Sequence, residues 1–398
     1  MMKVQLIIIL LLSIITNKCT NYDDPGLKFD NLKNITIYSD NAEPSSKIEL
    51  VQDLNYNDSN DEIIGSFSSV AVDNKGRVFI ADTDQIKIHI YNPDGSFHKS
   101  VGRRGSGPGE FNFPPQLSIK NDKLYAYDVL QMRMNIFSLK SLSLINSLNL
   151  NSLLYNYHEV LPSIMPRKIY VKNDESYLAI FDQTKYVDPH HHRYNLEETL
   201  YSEYYAIDRQ GELIPKTILR KRQRNLLHAT INGRVTSTGK PFPFLPKSIM
   251  TISDENYIFT SWSKNFLIKA HDLDGNYMYS FYYEIKNKYL DLNEILNNHD
   301  ISDYNKRIVE HAELPTTWPA LNSMIADDEG RLWVSTFTQE IDELEWWVLK
   351  NDGELIAKFI WPQNGSIEVI KDGYVYAQIL NEMDLQILMR FRIKEVNI

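Results

Sequence analysis

Four short apolar runs follow one another in Phe67–Val72, Val78–Ala81, Ile86–Tyr91 and Phe97–Val101. Polar breaks separate them at Asp73-Asn74-Lys75-Gly76, Asp82–Gln85 and Asn92-Pro93-Asp94-Gly95. Short runs rich in β-branched and aromatic residues read as strands. Breaks that end in Gly suit hairpins, because Gly accepts the positive φ of a tight turn. Four strands within 35 residues make one up-and-down sheet, the size of a propeller blade.

The unit recurs along the chain. A second copy starts at about Gln116, with runs at Leu117–Ile119, Leu124–Tyr127, Met132–Phe137 and Leu144–Leu148. A third covers Ile169–Val171, Tyr177–Phe181, Tyr201–Asp208 and Leu213–Leu219, and a fourth Ile249–Ile252, Tyr257–Ser261, Phe266–Asp272 and Tyr277–Tyr283. The fifth has Ser323–Asp327, Leu332–Thr336, Trp346–Lys350 and Leu355–Ile360. The sixth has three runs, Ile367–Ile370, Tyr374–Ile379 and Gln386–Ile393, and is one strand short. An open ring would expose strand edges and apolar faces. The alternating segment Lys47–Leu54 can supply the missing outer strand. The pattern therefore predicts an all-β fold: a six-bladed β-propeller with four-stranded blades over residues 47–398, closed by an N-terminal strand that completes the C-terminal blade.

Composition adds limits. A net charge of −10 argues against a nucleic-acid partner, which calls for a basic footprint. The single cysteine, Cys19, excludes an intrachain disulfide. Lys3 followed by the apolar run Val4–Ile15 is too short to span a bilayer and reads as an export signal. With Cys19 just beyond it, the segment resembles a bacterial lipoprotein signal, although Thr16-Asn17-Lys18 stands where small residues ordinarily precede such a cysteine. The expectation is a signal peptide over residues 1–18, lipidation at Cys19 and a polar tether over residues 19–46, with one strand-like run at Ile35–Tyr38. The protein would then be exported to the cell envelope and held to a membrane by its lipid.

The repeat resembles the six-bladed propellers built from NHL-type repeats, and within them the exported propeller lipoproteins of bacteria. The residues that carry the resemblance are Val70-Ala71-Val72-Asp73 with Gly76–Asp82, then Pro93-Asp94-Gly95, then Gly102–Phe111, with Asp328–Val334 repeating the signature in blade five. Propellers host binders and enzymes alike, so the resemblance speaks for fold and leaves function open.

Candidate chemistry gathers on one rim. The long connections Asp182–Leu200, Arg220–Leu245 and Glu284–Pro319 all fall where second strands end or one blade crosses to the next, and the last contains a helical stretch at Leu290–His311. Insertions on one rim mark a working surface. The predicted contacts for a small ligand or an envelope protein at the channel mouth are Arg103, Arg104, Asp182, Lys185, Trp262 and Trp318, with no cofactor and no reaction inferred. Arg103 and Arg104 lie in the glycine-rich Gly102–Gly109, whose N–H groups could grip an anion. The alternative is a calcium-dependent hydrolase of the lactonase or esterase kind, with Asp82, Asp128 and Asp182 as ligands. His190-His191-His192 and Lys221-Arg222-Gln223-Arg224 read as solvated loops, and Trp346 and Trp347 as further candidates for a pocket wall.

Overall fold

The computed structural model describes residues 32–39, 42–58, 64–157, 159–163, 165–183, 199–224, 226–297, 301–340, 342–381 and 383–397. Blade one is β3 (Phe67–Val72), β4 (Val78–Asp82), β5 (Lys87–Tyr91) and β6 (Phe97–Val101), antiparallel and in chain order. Its first turn is built by Asp73. The Asp73 carboxylate accepts the N–H groups of Lys75 and Arg77, both at 2.9 Å, and the Nε–H of Arg77 at 2.7 Å. Asp327 repeats this in blade five, accepting from Glu329, Arg331 and the Arg331 Nε. The recurring Asp-x-x-Gly-Arg signature is thus a turn held by its own carboxylate. Arg77 also donates to the carbonyl of Leu139 at 2.7 Å, tying blade one to blade two.

The other blades follow the same plan. Blade two is β7 (Gln116–Lys120), β8 (Lys123–Asp128), β9 (Arg133–Ser138) and β10 (Leu144–Asn149), followed by the short helix α1 (Ser152–Asn156). Blade three is β11 (Lys168–Val171), β12 (Tyr177–Asp182), β13 (Tyr201–Ile207) and β14 (Leu213–Arg222). A separate hairpin, β15 (His228–Ile231) and β16 (Arg234–Ser237), precedes blade four. Blade four is β17 (Ser248–Ile252), β18 (Ile258–Trp262), β19 (Leu267–His271) and β20 (Tyr277–Tyr283). Helices α2 (Leu292–Asn297) and α3 (Asp303–His311) lead to blade five: β21 (Leu321–Ala326), β22 (Leu332–Phe337), β23 (Glu343–Leu349) and β24 (Leu355–Pro362). Blade six is β25 (Ser366–Lys371), β26 (Tyr374–Leu380) and β27 (Gln386–Asn397).

Blade six is completed from the N-terminal side. Strand β2 (Ser46–Asn55) pairs antiparallel with β27, Ser46 opposite Asn397, and becomes the outer strand. Arg390 fastens the junction, donating its Nε–H to Asp53 at 2.6 Å and an Nη1–H to the carbonyl of Pro93 at 2.7 Å. The run Ile35–Tyr38 is β1, a fifth strand on blade four. It lies parallel to β20, with Ile35 opposite Ser280.

Adjacent blades bury apolar side chains between them. Blades four and five enclose Phe259, Phe281, Tyr283, Val334 and Trp347; blades five and six enclose Trp333, Trp346 and Trp361. Trp346 and Trp347 are therefore core residues and not pocket walls. The seam between blades three and four is the exception. Its cluster of Leu178, Ile180, Tyr204, Leu219 and Ile258 is the smallest of the inter-blade cores among the described residues. Among the described residues, no helix is long and apolar enough to cross a membrane.

Candidate functional site

Antiparallel order puts the start of each first strand, the end of each second strand and every blade-to-blade crossover on one rim. Asp82, Asp128, Asp182, Trp262 and Phe337, which close β4, β8, β12, β18 and β22, all stand there. The opposite rim carries the tight turns built by Asp73 and Asp327.

The acids on the rim are not gathered around a centre. Asp82 is fully buried and accepts the N–H groups of Asp84 at 2.8 Å and Gln85 at 2.7 Å with one oxygen. Its other oxygen takes the Gly65 N–H at 3.2 Å and faces Nε2 of buried His89 at 3.2 Å. Asp128 repeats the arrangement, accepting from Leu130 and Gln131 with Oδ1 and from Asn112 at 2.6 Å and Phe113 at 3.1 Å with Oδ2. Both carboxylates hold the second turn of their blade to the incoming crossover. Asp182 instead takes Ser202 Oγ–H at 2.6 Å and pairs with Arg167 at 2.6 Å. Among the described residues, no three His, Cys, Asp or Glu side chains meet as a metal ion requires. The three-carboxylate calcium set is thus not assembled, because two of its members are already saturated by main-chain donors.

The glycine-rich loop is likewise engaged with itself. Glu110 accepts the Gly107 N–H at 2.9 Å and pairs with Arg103 at 2.7 Å. Asn135 accepts the Gly109 N–H at 3.1 Å, and the Phe111 carbonyl takes that of Gly105. Arg133 and Gln131 hold the carbonyls of Gly105, Ser106 and Gly107. A side chain at Gly102, where φ is +74°, would meet the ring of buried Phe111 at 2.3 Å, which explains that glycine. The amides expected to grip an anion serve the crossover instead. Arg104 remains exposed on the rim.

Two long crossovers fold against each other into a cap. Leu227, Ala229, Phe244 and Leu245 from the blade three-to-four connection pack on Ile295, Ile308 and Val309 of α2 and α3. The Thr236 hydroxyl bonds Tyr304 at 2.6 Å across the same contact. Trp318, expected at the channel mouth, lies inside this cap: it is 8% exposed, edge-on to Phe244 at 6.0 Å and against Phe337 at 4.9 Å. It anchors the apolar core of the cap, away from the open surface of the rim. Lys185, Cys19 and His190-His191-His192 lie outside the described residues.

Trp262 does reach the rim. It closes β18 half-buried, with the Arg222 guanidinium 5.1 Å from its ring centre. Around it stands a group of cations that sequence reasoning assigned to a solvated loop. Arg222 ends β14, and its carbonyl accepts the Ser248 hydroxyl at 2.7 Å, which brings Lys247 alongside. Lys221 reaches into the seam and donates to Thr260 Oγ1 at 3.1 Å; that oxygen meets His271 Nε2 at 3.1 Å. Burial, and then Lys269, lower the Lys221 ammonium to about 8. Burial, and then Arg224, lower Lys247 to about 8. His271 falls to about 4 through burial first and Lys221 second, so it is neutral at pH 7. The signal available in the sequence was the run Lys221–Arg224 following directly on a strand, where alternation places some of its members against a neighbouring blade.

The chain's similarities to known proteins agree with this architecture. A family model, DUF5128, described as a 6-bladed beta-propeller, matches residues 28–200. The fold is that of a six-bladed β-propeller. Among solved structures, the chain is similar to a member of the DUF4221 family from Bacteroides vulgatus, with 12% identity, a TM-score of 0.50, and 88% of this chain and 100% of the other covered. It is also similar to a protein from Bacteroides fragilis named as a predicted exported protein, with 14% identity, a TM-score of 0.49, and 90% and 99% covered. At such identities the likeness concerns the fold alone. No curated protein matches the chain.

Proposed function

We propose that the protein is an exported recognition module that binds a ligand or protein partner on the long-loop rim, at the channel mouth, without catalysis. The observation that supports this reading is the difference between the two rims. One is built of short carboxylate-held turns; the other carries a cap with its own apolar core beside a half-buried tryptophan and a group of cations. The use of Asp82 and Asp128 as turn-holding groups favours this reading over a calcium-dependent hydrolase. Export, and anchoring through a lipid on Cys19, rest on the sequence of residues 1–19.

The test is a thermal-shift screen of the purified chain against glycans, peptides and small anions, repeated with Trp262→Ala. The expected result is a saturable ligand whose effect weakens about tenfold or more in that variant, and no change in melting temperature on adding EDTA. Turnover of an ester or lactone that depends on calcium, or binding that survives Trp262→Ala and is lost on altering the turn Asn351-Asp352-Gly353 of the opposite rim, would overturn it.

A further inference from the structure

Cations gather at the seam between blades three and four. Lys221 and Arg222 end β14, Arg224 follows two residues later, and Lys247 stands immediately before β17. Among the described residues, the blade-three acids Asp182 and Glu203 already have partners. Asp182 pairs with Arg167 at 2.6 Å, and Glu203 pairs with Arg220 at 3.3 Å and accepts the Tyr205 hydroxyl at 2.9 Å. Among the described residues no carboxylate pairs with Lys221, Arg224 or Lys247, and the buried Nε of Arg224 has no hydrogen-bond partner. A buried guanidinium nitrogen without an acceptor is costly unless something supplies one.

The neighbouring side chains give the place a shape. Thr260 and Trp262 are two apart on β18 and so share the face turned toward blade three, where Lys221 meets the first and Arg222 lies over the second. The Ser248 hydroxyl on the Arg222 carbonyl, at 2.7 Å, sets Lys247 beside the end of β14, where the charge of Arg224 adds to burial in lowering its ammonium. Two adjacent cations, backed by a third on an aromatic ring, match the charge of a dianion more closely than that of a single carboxylate. The chain's net charge of −10 opposes a long polyanion such as nucleic acid, so the matching ligand is small.

We propose that this seam is a site for a small ligand bearing a phosphate or sulfate group, with Arg224 and Lys247 holding the oxyanion and Arg222 on Trp262 flanking it. This rests on the recognition reading above and names the chemistry of that ligand. Lys221 lies deeper, on Thr260, and contributes field but no contact.

The experiment is titration of the full chain with inorganic phosphate and with sulfate, followed by calorimetry and melting temperature, against sodium chloride at matched ionic strength. Glucose 6-phosphate, glucose 6-sulfate and glucose form the second arm and separate a phosphate source from a sulfate source. The expected result is saturable binding of at least one dianion, a rise of roughly 1–3 °C at tens of millimolar ligand, and an affinity loss of about tenfold or more in Arg224→Gln and in Lys247→Gln. Because both substitutions relieve repulsion, the variants should melt no lower than the parent without ligand. Lys140→Gln, on an exposed turn of the opposite rim, should bind as the parent does. The proposal is overturned if no dianion binds more tightly than chloride, or if both variants bind like the parent. A neutral ligand that needs Trp262 would in that case leave the recognition reading standing while the oxyanion site fell.

Discussion

Asp73 and Asp327 show how one carboxylate can set a turn. Each is almost fully buried and joins two main-chain N–H groups and an arginine. Asp73→Ala should leave those donors without an acceptor and lower stability by about 2–3 kcal/mol, read from urea denaturation. Lys221 acts in the opposite direction. Its folded value of about 8 lies below the ordinary 10.5, so the unfolded chain binds more protons between those two pH values. Stability attributable to this group therefore rises with pH across that window, and the full penalty applies below about 8. Lys221→Met should stabilise the free protein by on the order of 1–3 kcal/mol at pH 7, with the advantage shrinking at pH 9.5. A variant less stable than the parent at pH 7 would show that the ammonium is compensated in the native state. The sequence could not reveal this residue's role, because its lost water depends on blade four and not on its own neighbours.

Strand β2 closes the ring with side chains far from it in sequence. Asp53 takes Arg390 and Arg392, and Asn57 Oδ1 accepts the Leu388 N–H at 3.1 Å. Asp53→Ala would strand a largely buried guanidinium, and a loss of about 1–3 kcal/mol in chemical denaturation is expected. The missing fourth strand of blade six was legible as an arithmetic deficit in the repeat. The parallel edge strand β1 was legible as a short run, but not its destination, since any of the outer strands could have received it. The cap hairpin carries a local signal that the reading of the connection as loop passed over. Asn232-Gly233 sits between HATI and RVTS, and both residues have positive φ, 51° and 73°, as a tight primed turn requires. Gly233→Val meets open space but not an allowed φ. It should speed hydrogen exchange in β15 and β16 while leaving the propeller's melting temperature nearly unchanged. A large global loss would mean that the cap and the ring unfold together.

The propeller as a whole is held by apolar seams, and the one between blades three and four is the thinnest. Polar and charged groups occupy it in place of the aromatic layers found between blades four and five. Regions with fewer buried apolar contacts open first. Amides of β14 and β18 should therefore exchange faster than those of β22 and β23, and a dianion at the seam should slow them. Uniform exchange across all blades would count against a weak seam.

Blade number, blade order and the closing strand could be determined from the sequence, because each rests on short alternating runs and on turn residues whose preferences are local. Helical content between blades four and five was visible for the same reason. Only the tertiary structure decided which rim residues stayed available. Trp318 and Trp262 are alike in sequence terms, yet one fills the cap and the other borders the seam. Asp82 and Asp128 are alike as candidate ligands, yet both are saturated by amides. Lys221–Arg224 has the look of a solvated run, yet blade four removes its water. Burial, partnership and charge compensation are set by residues distant in the chain, and only folding brings those residues together.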